Sequence, residues 1–233
     1  MKQIILAIET SGSACSAALI TPRACYTRFE PTQKAHTQLL LPMVHALLQE
    51  AHVSLKDLSA IAVGQGPGSF TGVRIAISAA QGLAFGLGIP VFPVSTLAAL
   101  AYQAQVQNKL DNTVIVPALD ARMHEIYAAA FLTHNDTAHT LMADCLIKPA
   151  NLLEKLTMDA KSLIAIGSGW DSYFDEITSN AKDISIYTMS DCHVNALHIG
   201  LIAKGQMEQG KKGVAAKDVL PVYLRDDVAQ KQR

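Results

Sequence analysis

The residues best placed to do chemistry lie in Gly64-Gln65-Gly66-Pro67-Gly68-Ser69-Phe70-Thr71-Gly72, and seven of the 14 glycines fall between positions 64 and 88. A glycine-rich turn between a strand and a helix is where phosphate is commonly held, because free backbone N–H groups and the helix dipole both favour an anion there. The established phosphate patterns are nevertheless absent. There is no Gly-x-Gly-x-x-Gly, and no lysine follows as a P-loop requires, since residues 57–108 contain none. A tight turn that brings a helix close to its sheet explains Gly64, Gly66, Pro67 and Gly68 more simply.

Other chemistry is weakly represented. The eight histidines include no pair at i, i+4, the spacing that puts two metal ligands on one helix face. His193 and His198 are five apart and point differently. Glu9 and Asp120 sit at expected strand ends without an obvious partner, and Asp120-Ala121-Arg122 reads as a turn ion pair. Ser11 and Ser69 lack a neighbouring base, so a serine nucleophile is disfavoured. The cysteines, Cys15, Cys25, Cys145 and Cys192, form no Cys-x-x-Cys and read as reduced thiols of the cytosol.

These groups need elements to hold them. Residues 3–10, 14–21 and 24–30 read as strands, 34–51 as a helix, 59–64 as a short buried strand, 70–87 as a helix, 90–94 as a strand and 95–107 as a helix. Polar residues 108–112 suggest a boundary. Strands follow at 114–119, 125–133 and 139–147, then a short helix opened by Pro149, a strand at 162–166 and a last helix over 193–208. This order favours a mixed α/β sheet with helices on its faces.

Two helices carry more apolar surface than a single sheet needs. On a wheel turning about 100° per residue, the apolar residues of 34–51 sweep about 220°, including Leu39, Leu40, Leu41, Met43 and Leu47. A helix on its own core needs little over about 100°. The excess points to a second body beyond the chain's own sheet. Pro42 removes one backbone hydrogen bond on the polar side, so a kink is expected. In 70–87 the small residues Gly72, Ala76, Ala79, Ala80, Gly82 and Gly86 fall within about 160°. Each glycine inside a helix costs about 1 kcal/mol relative to alanine, so Gly82 and Gly86 need a packing reason.

Composition narrows the classes further. Half of the 233 residues are hydrophobic and 17% are charged, against about 25% in an average domain, so general disorder is excluded. Lys and Arg total 19 against 20 Asp and Glu, a net charge of −1. That gives little counterion-release drive, so the chain alone is expected to bind nucleic acid negligibly. No apolar run approaches the roughly 20 residues of a membrane span. The run Ile4–Ile8 is too short for a signal peptide, and a cytoplasmic location is expected.

Several segments together resemble a known family. Ile8-Glu9-Thr10-Ser11, Lys34-Ala35-His36, Gly66-Pro67-Gly68, Thr71-Gly72-Val73-Arg74 and Ile89-Pro90-Val91 with Pro93-Val94 are similar to the bacterial TsaB proteins, as are Gly167-Ser168-Gly169-Trp170 and Pro221-Val222-Tyr223-Leu224-Arg225. The resemblance is strong over 1–105 and weaker beyond. It implies an actin-like and sugar-kinase ATPase fold of the ribonuclease H-like kind, with two subdomains of mixed sheets flanked by helices. These would span 1–107, with helix 193–208 packing back on it, and 108–192, followed by an irregular tail over 209–233.

The same resemblance implies a noncatalytic part in forming N6-threonylcarbamoyladenosine beside the anticodon of tRNAs that read codons beginning with A. The implied partners are the catalytic paralogue TsaD, the ATPase TsaE and a second copy of the chain, with tRNA met only through the complex and ATP used by the complex. The paralogue's metal-binding histidines fall here at Thr96 and Leu100, and its later metal-binding Asp at Val194, so no metal is expected in this chain. Its phosphate loop is replaced by Asp120-Ala121-Arg122-Met123-His124. A degenerate nucleotide loop at Thr10, Ser11 and Gly12 is left open. The implied partner interface comprises His36, Leu39, Leu40, Met43, Leu47, Gly72, Ile75, Ala76, Ala79 and Leu83. The competing reading is an active nucleotide-dependent transferase or metallopeptidase.

Overall fold

A computed structural model describes residues 3–32, 35–134, 137–156, 161–179 and 184–225. Lys34, one of the family-like positions, and the tail beyond 225 lie outside the described residues. The chain forms two five-stranded sheets. The first contains β1 (Ile5–Glu9), β2 (Cys15–Ile20), β3 (Cys25–Glu30), β4 (Ala60–Gly64) and β5 (Val91–Val94), in the order β3-β2-β1-β4-β5. The second contains β6 (Val114–Asp120), β7 (Ile126–His134), β8 (Thr137–Ile147), β9 (Ser162–Ile166) and β10 (Ser185–Met189), in the order β10-β9-β6-β7-β8. Each sheet begins with an antiparallel meander and adds two parallel strands on the first strand's other side.

The helices are α1 (His36–Glu50), α2 (Phe70–Leu87), α3 (Thr96–Asn108), α4 (Leu152–Lys155), α5 (Ser168–Thr178) and α6 (Ala196–Glu208). Both halves therefore repeat one unit: three strands, helix, strand, helix, strand, helix. Two mixed sheets, each flanked by helices, are the arrangement expected from the sequence.

Continuous apolar runs build the first sheet. Strands buried on both faces lose the polar alternation of a half-exposed strand, and β1 and β4 are buried throughout. Alternate side chains serve opposite layers. Leu6, Ile8, Ile61 and Val63 pack under α1 and α2, whereas Ile5, Ala7, Ala60 and Ala62 meet α6. The last helix of each unit is exchanged. α3 packs on the second sheet, and α6 returns to the first, where Gly200 lets it approach Ala7 and Ile20. Beyond the second sheet, Leu152, Leu153, Trp170 and Ile177 close a third apolar layer, and the Trp170 indole donates to the Val116 carbonyl at 2.7 Å.

Some expected boundaries change. The last helix begins at Ala196, because Asn195 accepts from the Leu197 N–H at 2.8 Å and caps it there. α1 runs through the exposed Pro42 without a break in helical assignment. α5 and β10 were not anticipated. Gly167-Ser168-Gly169-Trp170 reads as a strand end, yet Trp170, Tyr173 and Ile177 follow an i, i+3, i+7 helical spacing. β10 is a short edge strand whose side chains are exposed or half-buried, so it lacks an apolar signal.

Candidate functional site

The repeated units face each other across a cleft of about 630 Å³. One wall comes from the β1–β2 hairpin and the start of α2, including Ser11, Gly12, Ser13, Ser69 and Phe70. The opposite wall comes from the β6–β7 hairpin and the start of α5, including Asp120, Arg122, Met123, Ser168 and Asp171.

The glycine turn works as an assembly device at the base of this cleft. An alanine Cβ at Gly72 would lie 2.0 Å from the Thr10 carbonyl oxygen, and one at Gly68 would lie 2.6 Å from that of Ser11. The missing side chains let α2 dock directly on the hairpin, where Thr10 Oγ1 donates to the Gly72 carbonyl at 2.6 Å and the Ser69 N–H donates to the Ser11 carbonyl at 2.8 Å. Gly64 does the same for the Glu9 carboxyl, which fills the space its Cβ would occupy.

Glu9 is fully buried and is the unusual group here. Its carboxyl accepts from the Ser11 N–H, while Oε2 has no hydrogen-bond partner. The Ser11 N–H, which could have met a phosphate, is thus already engaged from within. Burial raises the Glu9 pKa from an ordinary 4.5 to about 7, against the hydrogen bonds from Ser11, Gly12 and Thr10 that lower it.

Because the folded chain holds this proton more tightly than the unfolded one, the contribution of Glu9 to stability is full below about 4.5, falls as the pH rises and is lost past about 7. The upward shift corresponds to about 3 kcal/mol at most. We expect Glu9→Gln to raise the melting midpoint at pH 8.5 by several degrees and to change it little at pH 4.5. Equal effects at both pH values, read by calorimetry, would contradict this.

The positions matched to the paralogue's metal ligands are filled with apolar or self-satisfied groups. Leu100 is buried against Gly167, Val194 packs on Gly12, and the buried Thr96 hydroxyl donates to the Pro67 carbonyl. Among the described residues no group of three or more His, Cys, Asp or Glu could hold a metal ion.

The outer face of α1 and α2 is different in kind. These helices lie side by side on the first sheet, with a groove of about 430 Å³ between them lined by Leu41, Phe70, Arg74, Ile75 and Ala79. The expected interface must be corrected. His36, Leu40, Leu47, Gly72 and Ala76 are buried in the chain's own core, because the sheet side of each helix takes half of the apolar arc. Leu39, Met43, Ile75, Ala79 and Leu83 remain partly accessible. Three further apolar residues on this side were missed: Leu41 is 55% exposed, Phe70 46% and Phe85 84%.

A Cβ at Gly82 or Gly86 would meet nothing within 4 Å, so packing within the chain does not account for either glycine. α2 also departs from the expectation that no segment could span a bilayer. Its 18 residues have a mean hydropathy of 1.3, enough by length and composition. Its polar stripe is occupied within the protein, however: Gln81 donates to the Val219 carbonyl at 2.9 Å and Arg74 to the Tyr223 hydroxyl at 2.7 Å.

The C-terminal residues tie the two units together. The Val222 N–H donates to the Gln65 carbonyl at 2.9 Å in the first unit. Arg225 pairs with Glu125 at 2.7 Å and donates to the Ala121 carbonyl at 3.0 Å in the second. The hairpin it holds is strained, since Arg122, Met123 and His124 have φ of 64°, 55° and 60° in succession. Such non-glycine residues cost about 1–3 kcal/mol each and persist only where neighbours enforce them. The expected Asp120–Arg122 ion pair is present at 3.5 Å.

Comparison with known proteins places these features in context. Residues 30–232 match the family model of TsaD, the tRNA N6-adenosine threonylcarbamoyltransferase. The tRNA threonylcarbamoyladenosine biosynthesis protein TsaB of Escherichia coli K12 is 36% identical over 232 residues, covering 98% of this chain and 97% of the relative. TsaB of Bacillus subtilis 168 is 34% identical over 166 residues, covering 70% of each. The solved structure of YeaZ from Pseudomonas aeruginosa is 35% identical, with a TM-score of 0.84 over 95% of this chain and all of that one.

Proposed function

The chain belongs to the TsaB family of tRNA threonylcarbamoyladenosine biosynthesis proteins, and we propose that it serves that pathway as a noncatalytic subunit docked through α1 and α2 on its catalytic paralogue, TsaD. The observation that carries this reading is the open face of α2. Interior helix glycines weaken a helix unless something packs closely on them, and Gly82 and Gly86 face open space within this chain. A partner helix can approach a glycine more closely than any other residue. Leu41, Ile75, Ala79 and Phe85 supply apolar surface around that approach.

The cleft supports the noncatalytic assignment. Its hairpin N–H is engaged by Glu9, and Thr96, Leu100 and Val194 replace the ligands implied for the paralogue. TsaE and ATP belong to the assembled complex in this reading, and tRNA is reached through it in the cytoplasm. A second copy of the chain competes for the same helical face, because the paralogue is built on a similar fold.

The test is a transfer assay reconstituted from this chain, TsaD and TsaE, with each left out in turn and capture of TsaD measured separately. Omission of this chain should abolish turnover, and the chain should bind TsaD at low micromolar concentration. Transfer by this chain with ATP and without TsaD would instead establish the active-transferase reading.

A further inference from the structure

We propose that Pro221–Arg225 is a latch that mechanically links the outer groove between α1 and α2 to the hairpin on the far wall of the cleft. Its biological use rests on the docking role above; the link itself is a property of the isolated chain. Phe70 lines both cavities. The Arg74 guanidinium lies 3.6 Å over the Phe70 ring, and Tyr223 completes the stack with its ring centroid 5.4 Å from that of Phe70. Anything seated in the groove therefore meets side chains that carry Tyr223.

Two residues further on, the same strand of chain reaches the other unit. Arg225 holds the carbonyls of Ala121 and Arg122 and the carboxylate of Glu125, at the two ends of the left-handed run. Arg122-Met123-His124 contains no glycine or asparagine to favour that conformation. Its shape is imposed by its neighbours, and Arg225 is the neighbour supplied by the other end of the chain. Only Leu224 separates Tyr223 from Arg225, and an extended residue spans about 3.5 Å. Displacement of the Phe70–Arg74–Tyr223 stack is thus transmitted to Arg225 over a short length of chain. Release of Arg225 would let the hairpin relax and widen the cleft.

Amide hydrogen exchange on the full chain tests the link. The Ala121 and Glu125 amides are the reporters, because both bond within the hairpin, to the Glu125 and Arg122 carbonyls at 2.9 and 3.1 Å. Arg225→Ala should speed their exchange by about tenfold or more, and Tyr223→Ala, altered in the first unit, by about threefold or more, with β1 and β4 unchanged. If Tyr223→Ala loses protection in β1 as well, Tyr223→Phe, which removes only the hydroxyl bonded to Arg74, is judged by the same criterion. Hairpin exchange that stays unchanged in Arg225→Ala, or an effect of the Tyr223 variant confined to Phe70 and Arg74, would overturn the proposal. Since exchange is read without the paralogue, failure of paralogue capture leaves this result intact.

Discussion

A chain carrying Leu41→Glu is expected to melt where the unaltered chain melts, yet to bind the catalytic paralogue about 100-fold more weakly. Leu41 is more than half exposed on the outer side of α1 and lines the groove beside Ile75 and Ala79. A carboxylate there is well hydrated in the isolated chain, so folding is little affected. Against a partner helix it would lose that water without gaining a counter-charge. Anchors near an interface centre contribute about 2 kcal/mol or more each, and a factor of 100 is about 2.7 kcal/mol. Met43 is a poorer test, because it is partly packed on the chain's own core and a charge there could unfold the helix. Titration calorimetry against the paralogue decides the matter: full affinity in a normally melting Leu41→Glu chain would move the contact to another surface.

The second large effect separates two glycines of the same helix. Gly72→Ala should lower the melting midpoint by about 6 °C, since its Cβ would collide with the Thr10 backbone and separate α2 from the hairpin. About 3 kcal/mol is expected from that displacement, outweighing the gain of about 1 kcal/mol in helix propensity. Gly82→Ala meets nothing, keeps that gain and should raise the midpoint by about 3 °C in the isolated chain. With the paralogue present, the order reverses for Gly82→Ala, because its methyl group would hold the partner helix away. A Gly82→Ala chain that is both more stable and undiminished in binding would remove the reason offered for that glycine. Differential scanning calorimetry of the two variants, with binding measured on Gly82→Ala, covers each outcome.

Much of the frame is legible in the residues because burial leaves a continuous apolar signal. β1, β4 and α2 are examples, and α2 is found from Phe70 to Leu87, the span expected. The helical wheel also shows that α1 has too wide an apolar arc, but it cannot divide that arc between sheet and partner. Leu40 and Leu47 face inward, and Leu41, one residue from Leu40, faces out. The strained hairpin leaves no trace in composition, since left-handed residues are normally signalled by glycine or asparagine and Arg122-Met123-His124 has neither. Pro221–Arg225 is visible as a family-like run. Its crossing between units is hidden, because Gln65, Arg74 and Glu125 are distant in sequence and no local pattern encodes them.

The exchange of α3 and α6 between units bears on how the protein is born. On a ribosome the chain emerges at about 5–20 residues per second. β5 closes the first sheet at Val94, but the helix that covers Ile5, Ala7, Ala18 and Ile20 begins only at Ala196. For on the order of ten seconds the nascent first half therefore offers a greasy sheet face with no native cover of its own. That interval is an opening for holdase chaperones, and a ribosome stalled between β5 and α6 would display a sticky half-protein rather than a folded domain. Splitting the chain near residue 108 would make that transient condition permanent for both fragments, whereas a nick that left the fragments together would preserve the exchanged helices.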